Sequence, residues 1–485
     1  MIRPKPSVWQ RVCSDLLALS AVFVVGLCAW PYTVDDAYIV ARYAVRVSHG
    51  LGYTFSAGSA TDGVTGPAWL LPGLLATRLG ADPVSVAKLL GLLMCGLAVL
   101  WNVREQRRRA RGSWSSWIAC FLLVCQPSLG GSGSSGLETG AATLALSLAI
   151  QAALARPRPH VACLGLAIAS LAWLRPEIAL VAVVLLTIAS VRAGMRRAAI
   201  AWLWACFGAL SVCAFRWFLS GSLLPLAWQA KAGTLGEGLS YSGRALLVLT
   251  GGLGCALAGA GAWLGQRRDR QRALIIAVHV LSVTLAGGDW MPGFRLFVPI
   301  FPQYAQLAAV GMERLWRRGH WLRTLALLAL ITACATSLLD LGLRVPEWRA
   351  AGASRDRVGA AMAEELRVGS KRVALVDIGY LGYASGCDVI DLAGITDPSS
   401  AALPGGHLAK RIPNAWLEAR APDTVVLHSS SPPLAARDGT LVSLHGYPVE
   451  MRVARSAWLA REFYVASTYA YSPHYHYAIL RRKPR

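Results

Sequence analysis

Residues 33–50 read "TVDDAYIVARYAVRVSHG", and two adjacent carboxylates, Asp35 and Asp36, open the segment. If "DDAYIVARYA" is helical, Asp35, Tyr38 and Arg42 share one face at spacings i, i+3 and i+7. Asp36 and Tyr43 lie beside them. A carboxylate next to a guanidinium stays ionised. An ionised carboxylate can take the proton of an attacking hydroxyl as a general base.

Further groups of this kind recur along the chain. Glu138 stands in "GLETG", Arg175 and Glu177 in "LRPE", Lys231 in "LLPLAWQAK", and Asp289 and Arg295 in "GGDWMPGFR". His407, Lys410 and Arg411 stand in "GGHLAKRIPNAW". Isolated lysines and arginines suit an anionic group that gathers charge as it leaves. Each residue also has an ordinary structural role open to it. Thr33 and Asp36 resemble a capping box, and Glu138 could cap the helix that follows it. Arg175 with Glu177, and Asp289 with Arg295, could be simple ion pairs. Lys231 and the 407–411 loop could be solvated.

These residues must be positioned by membrane helices. Of 485 residues, 55% are apolar and 15% are charged, where a soluble domain carries about 25% charged residues. Apolar runs recur from residue 14 to about 345, many near the ~20 residues that span a bilayer. The net charge of +22 does not indicate nucleic acid, because the basic residues sit in short clusters between apolar runs. That is the pattern of cytoplasmic loops. Ten of the eleven cysteines lie in or directly beside apolar runs, and only Cys387 lies in the C-terminal region, so no disulfide framework is implied.

The first run, 14–30, follows Arg3, Lys5 and Arg11 and precedes "CAWPYT", a poor cleavage site. It reads as a retained first helix from a cytoplasmic N-terminus. The piece 66–80 is short and holds Pro72; if it spanned, "REQRRRAR" would fall outside. It is therefore expected to lie on the outer surface. Spans are then expected near 84–103, 114–129, 140–155, 160–174, 176–191, 198–219, 243–265, 272–287, 294–311 and 321–343. With the first, that makes about eleven. This threading leaves 21 Lys and Arg inside, and about six outside before residue 346: Arg42, Arg46, Arg78, Arg175, Lys231 and Arg295. The C-terminal region then lies outside. All the carboxylates and lone basic residues named above fall on that outer side, where polar residues of a membrane protein mark a site. Trp30, Tyr32, Trp69, Trp228 and Trp290 read as interfacial anchors.

Residues 346–485 form an expected extracytoplasmic α/β domain, with strands in "KRVALVD", "CDVIDL" and "DTVVLHS". Residues 1–345 form the membrane domain, with 31–83 as an outer loop carrying juxtamembrane helices. "GGSGSSG" at 130–136 lacks the lysine and the strand–helix setting of a phosphate-binding loop, and reads as a flexible outside loop.

The stretch "DDAYIVARYAVRVSHGLGYTFSAGSATDGVTGPAWLL" resembles the opening of the GT-C glycosyltransferases. It is most similar to the terminal arabinofuranosyltransferase-like branch of actinobacterial cell envelopes. "GLETG", "LRPE", "LLPLAWQAK", "GGDWMPGFR", "VDIGYLGY", "VIDLAGITDP" and "GGHLAKRIPNAW" follow in the same order. The chain has Ser48 and Asp62 where that branch often has Asn and Glu.

The resemblance implies a membrane α-helical GT-C fold with two juxtamembrane helices after the first span. It implies a transferase in the bacterial plasma membrane, with Asp36 or Asp35 as base. Nucleotide-sugars stay in the cytoplasm, so an outward-facing site needs a polyprenyl-phosphate-linked sugar as donor. The acceptor would be a glycan or glycolipid, the surroundings membrane lipid, and the expected outcome inversion at the anomeric carbon. No dedicated metal-ligand set is visible, and no cofactor is expected. A transporter or flippase of a lipid-linked sugar is the competing reading, but the inverted repeats it would need are not seen. A scaffold that only binds envelope polymer would leave the ordered motifs without a purpose.

Overall fold

The structure is a computed structural model that describes residues 8–110, 114–231, 233–289 and 291–484, without the side chains of Gln10 and Ala110. Arg3, Lys5, Arg111 and Trp290, which enter the expectations above, lie outside the described residues. The chain divides into two compact units. One comprises Met1–Trp30, Ala87–Val212 and Gly233–Trp348; the other comprises Pro31–Val86, Cys213–Ala232 and Arg349–Arg485.

The first unit is helical. Among the described residues, five helical stretches of the chain are long and apolar enough to cross a membrane. They are Arg11–Cys28, Pro83–Arg109, Pro176–Ala193, Met195–Ser220 and the apolar part of His320–Gly369. The chain is a multi-pass membrane protein. Most of the expected spans are present as helices, including Thr139–Leu154, Val161–Leu174, Arg267–Leu285 and Phe301–Trp316. Several are too short for the bilayer by themselves: sixteen residues, as in Thr139–Leu154, rise only about 24 Å against a core of about 30 Å. The expected count of eleven is therefore not reached by length and composition.

Three local expectations are corrected. The span expected at 243–265 is a pair of helices, Leu235–Thr250 and Gly254–Leu264, bent by 87°. Gly251 and Gly252 hold the break with φ of 63° and 67°, a region that residues with a Cβ avoid. The span expected at 114–129 ends at Val124, and Pro127 starts a new helix. The glycine run that follows is no flexible loop. Pro127–Gly133 is a fully buried helix. A Cβ at Gly130 would lie 2.6 Å from the Val22 carbonyl oxygen, and one at Gly131 would lie 2.8 Å from the Trp348 ring. The glycines are there for close backbone packing.

The second unit combines surface helices with an α/β sheet. It holds Asp35–Ser48, Pro67–Trp69 and Leu70–Arg78 as helices, which fits the two expected juxtamembrane helices. Its strands are β1 (Arg372–Leu375), β2 (Asp388–Asp391), β3 (Thr424–Ser429), β4 (Leu434–Ala435), β5 (Leu441–Ser443), β6 (Phe463–Ser472) and β7 (Tyr475–Arg482). The main sheet has the order β2-β1-β3-β7-β6. β1 runs parallel to β2 and β3, and β7 runs antiparallel to β3 and β6. The first three strands are those expected from β-branched runs. The β6–β7 hairpin was not anticipated. The unit's core joins sheet residues such as Val373, Ile390, Val426 and Ile479 to Ile39, Tyr43 and Phe55 of the 31–86 segment.

Candidate active site

Asp35 and Asp36 begin the Asp35–Ser48 helix, where the positive helix terminus favours carboxylates. The N-cap is Val34 and makes no side-chain cap, so the capping box suggested by Thr33 and Asp36 does not form. The two carboxylates do different things. Asp35 reaches across to the helix Ile378–Ser385 and accepts the N–H groups of Gly379 and Tyr380, both at 2.8 Å. It caps that helix in place of the helix's own N-cap residue, Asp377, which makes no side-chain cap. Burial, then the charge of Asp377, and further the charge of Asp36, push the Asp35 carboxyl up to about 7.

Asp36 pairs with the Lys231 ammonium at 3.3 Å, and both side chains stay about one-fifth exposed, at 21% and 23%. Lys231 is held at the end of the short helix Leu226–Ala230. That helix is fastened by its Leu226 N–H to the Asp62 carbonyl at 2.9 Å. Asp62 is fixed in turn by a buried ion pair with Arg216 and by the Tyr53 hydroxyl at 2.9 Å.

Arg42 does not pair with Asp35. Its guanidinium is buried and donates to three carbonyls: Phe55 at 2.7 Å, Cys387 at 2.6 Å, and Gly382. It is a strut between the surface helix and the α/β domain, with no hydrogen on Nε left for a ligand. The geometry of Arg42 thus gives it a structural role in joining these elements. Tyr43 is likewise fully buried, with its hydroxyl against Thr61 at 2.7 Å and the Gly63 N–H at 3.1 Å. Lys410 is buried and donates to the carbonyls of Ala401 at 2.6 Å and Leu403 at 2.9 Å, which shapes its own loop instead of offering an ammonium to substrate. His407 is half-buried, and Arg411 is exposed.

Asp377 was missed from the sequence. It lies just beyond the end of β1 and accepts the hydroxyls of Tyr475 at 2.6 Å and Tyr477 at 2.8 Å. The usable signal was an acidic residue past the carboxyl end of a parallel strand, where sites of α/β sheets gather.

In the first unit, Glu138, Arg175 and Glu177 form one cluster. The Arg175 guanidinium lies 2.7 Å from Glu138 and 2.9 Å from Glu177, and also donates to Thr139 at 3.1 Å. Burial works against its charge, but the two carboxylates outweigh burial and hold the proton more tightly than in a free arginine. Glu138 makes no helix cap. Asp289 and Arg295 pair with each other, and the Arg295 charge acts on Arg175. The five residues named in this unit therefore belong to one electrostatic cluster of three carboxylates and two guanidiniums. Among the described residues, no group of three or more His, Cys, Asp or Glu is arranged to hold a metal ion.

Comparison with known proteins places this geometry in a fold. Two solved structures of ArnT from Cupriavidus metallidurans are similar over nearly the whole chain. The one bound to undecaprenyl phosphate has a TM-score of 0.58 at 13% identity, covering 98% of each chain. The apo structure has a TM-score of 0.56 at 13% identity, covering 96% of this chain and 97% of the other. At that identity the likeness establishes the fold alone: the chain has a membrane α-helical fold like that of these two structures, with a C-terminal sheet region. Residues 346–479 match a family model described as "Domain of unknown function (DUF8728)". No curated protein matches the chain in sequence.

Proposed function

We propose that the protein transfers a sugar from a polyprenyl-phosphate carrier to a hydroxyl of an envelope glycan or glycolipid. The observation that carries this reading is the end-to-end fold likeness to a protein solved with undecaprenyl phosphate. The Asp36–Lys231 pair supplies the chemistry. Asp36 takes the proton of the acceptor hydroxyl. The freed oxygen attacks the anomeric carbon, and the carbon–oxygen bond to the carrier breaks with its electron pair leaving on the phosphate. One displacement inverts the anomeric centre. Lys231 lies where one ammonium can pair with Asp36 in the resting state and meet the phosphate as charge builds on it. A phosphate leaves without protonation, so the reaction as proposed needs no divalent metal. Arg175, Arg295, His407 and Arg411 are the further candidates for donor or acceptor binding.

Asp35 orients the α/β helix beside this pair. The ordered motifs favour the terminal arabinofuranosyltransferase-like branch, and hence a pentofuranose as the sugar. The 21 inside basic residues against about six outside favour a cytoplasmic N-terminus and an extracytoplasmic 346–485 region. Reporter fusions after residues 112 and 345 check that orientation; a cytoplasmic signal from the second would reverse it. The function itself is tested by incubating purified protein with polyprenyl-phosphoryl sugars and a glycan acceptor, with and without chelator. Transfer that survives chelation is the expected result. Absence of transfer with every such donor, alongside transport of the lipid-linked sugar across vesicles, would replace the transferase by a flippase.

A further inference from the structure

The first unit holds a cavity of about 1120 Å³ that the proposed reaction does not use. It lies at the opposite ends of the helices that carry the Arg175 cluster. Thr139–Leu154 starts beside Glu138 and ends at Ala155 and Arg156, which line the cavity. Val161–Leu174 starts beside the cavity-lining His160 and ends at Arg175. The separation along the first of these helices is about 24 Å.

Seven arginines line this cavity against three carboxylates. Loops rich in arginine are ordinary on one side of a membrane protein and are usually solvated. Here several of the polar atoms are buried and unspent. Among the described residues, Arg268 has both Nε and Nη2 buried without a hydrogen-bond partner, and Arg272 and Arg109 each have a buried Nη2 without one. Arg272 is only 1% exposed. It is held rigid by Gln303 at 3.0 Å and Asp269 at 3.3 Å, with its last nitrogen left over. Gln303 is itself locked to Asn102 at 2.9 Å. Burial, then the guanidiniums of Arg109, Arg156 and Arg192, push the Arg268 group down to about 10. Charged donors placed together in this way lack an anion.

Two more features narrow its chemistry. Gln106 presents a buried Oε1 acceptor with no donor, which suits a hydroxyl. The cavity wall also includes Trp101 and Leu166, which are 40% and 48% exposed on apolar helices. We propose that this cavity binds the phosphate headgroup of an anionic, hydroxyl-bearing phospholipid, with the acyl chains lying along Trp101 and Leu166. The site is independent of the transferase reading.

Native mass spectrometry of the full chain in detergent tests it, with phosphatidylglycerol, phosphatidylcholine and undecaprenyl phosphate as separate probes and inorganic phosphate in a parallel thermal-shift measurement. Phosphatidylglycerol should be retained over phosphatidylcholine. Arg268→Gln, alone and with Arg156→Gln, should weaken that retention by about 10-fold or more. Among the described residues, Arg268 Nε and Nη2 have no hydrogen-bond partner to lose, so its variant should fold, and thermal unfolding verifies this. Lys231→Gln should leave phosphatidylglycerol retention unchanged. Equal retention of the two phospholipids, or unchanged retention in the double variant, overturns the site. Stabilisation by inorganic phosphate alone overturns its lipid character. Preference for undecaprenyl phosphate that is lost in Arg268→Gln overturns the phospholipid assignment.

Discussion

Asp36→Asn keeps the size and polarity of the side chain and removes its charge and basicity. At 3.3 Å the Coulomb attraction to Lys231 is about 5 kcal/mol at an effective dielectric of about 20. Both groups are about one-fifth exposed. Solvent screening and the cost of ordering two side chains reduce the net contribution of such a pair to about 1 kcal/mol or less. Folding stability should therefore hardly change. The rate should change far more. Loss of a general base lowers turnover by about 10²–10⁴-fold, which corresponds to about 3–5 kcal/mol of barrier. The variant should thus fold, bind the lipid donor and fail at the chemical step. Single-turnover transfer from a polyprenyl-phosphoryl sugar measures the step, and thermal unfolding measures the fold. Lys231→Gln should instead weaken donor binding, by about 1.5–3 kcal/mol. Combining the two substitutions should show strong non-additivity in rate, because both act on the same proton and phosphate. A near-normal single-turnover rate in folded Asp36→Asn refutes the base. So does a rate loss no larger than its loss of stability. Glu138 and Asp289 would then be the remaining candidates, together with Asp377.

Arg42→Gln should destabilise the protein by about 2–4 kcal/mol, because buried carbonyls lose a charged donor; an unchanged melting temperature would show that Arg42 is no strut. The Asp35 carboxyl is raised from 3.8 to about 7, so the folded state binds its proton more tightly than the unfolded state does. Its stabilising contribution is fully present below about pH 4 and is lost as pH rises through about 7. Melting temperatures of wild type and Asp35→Asn, compared between pH 5 and pH 8, should show a fall with pH that is smaller in the variant. Parallel curves would remove this linkage.

Apolar runs and arginine clusters made the membrane helices legible, because a bilayer imposes length and charge rules on each segment separately. The same locality explains what was misread. Arg42 sits at helical spacing from Asp35, but its acceptors lie in segments far along the chain, at Gly382 and Cys387. No spacing rule reaches them. Lys231 and Asp36 were both visible as candidates, yet nothing in the sequence linked two residues 195 positions apart. The glycine run at 130–136 carries the composition of a loop, and only close contact with Val22 and Trp348 shows why its first part, to Gly133, is helical. The β6–β7 hairpin was readable, since "FYVASTYAYSPHYHYAILRR" is rich in aromatic and β-branched residues around a Pro-containing turn.

The helix of residues 378–385 receives its cap from Asp35, and the guanidinium of Arg42 donates to the carbonyl of Gly382 within it and to that of Cys387 just beyond it. The C-terminal α/β region is consequently not a module that a single cut can release. A fragment beginning at residue 346 would leave the N–H groups of Gly379 and Tyr380 without an acceptor. It would also uncover apolar positions now covered by Ile39, Tyr43 and Phe55. Soluble expression of that fragment would favour aggregation over folding. Grafting the region onto another membrane scaffold would need the 31–86 and 213–232 segments to travel with it, so insertions, deletions and recombination in this chain are constrained at three places at once.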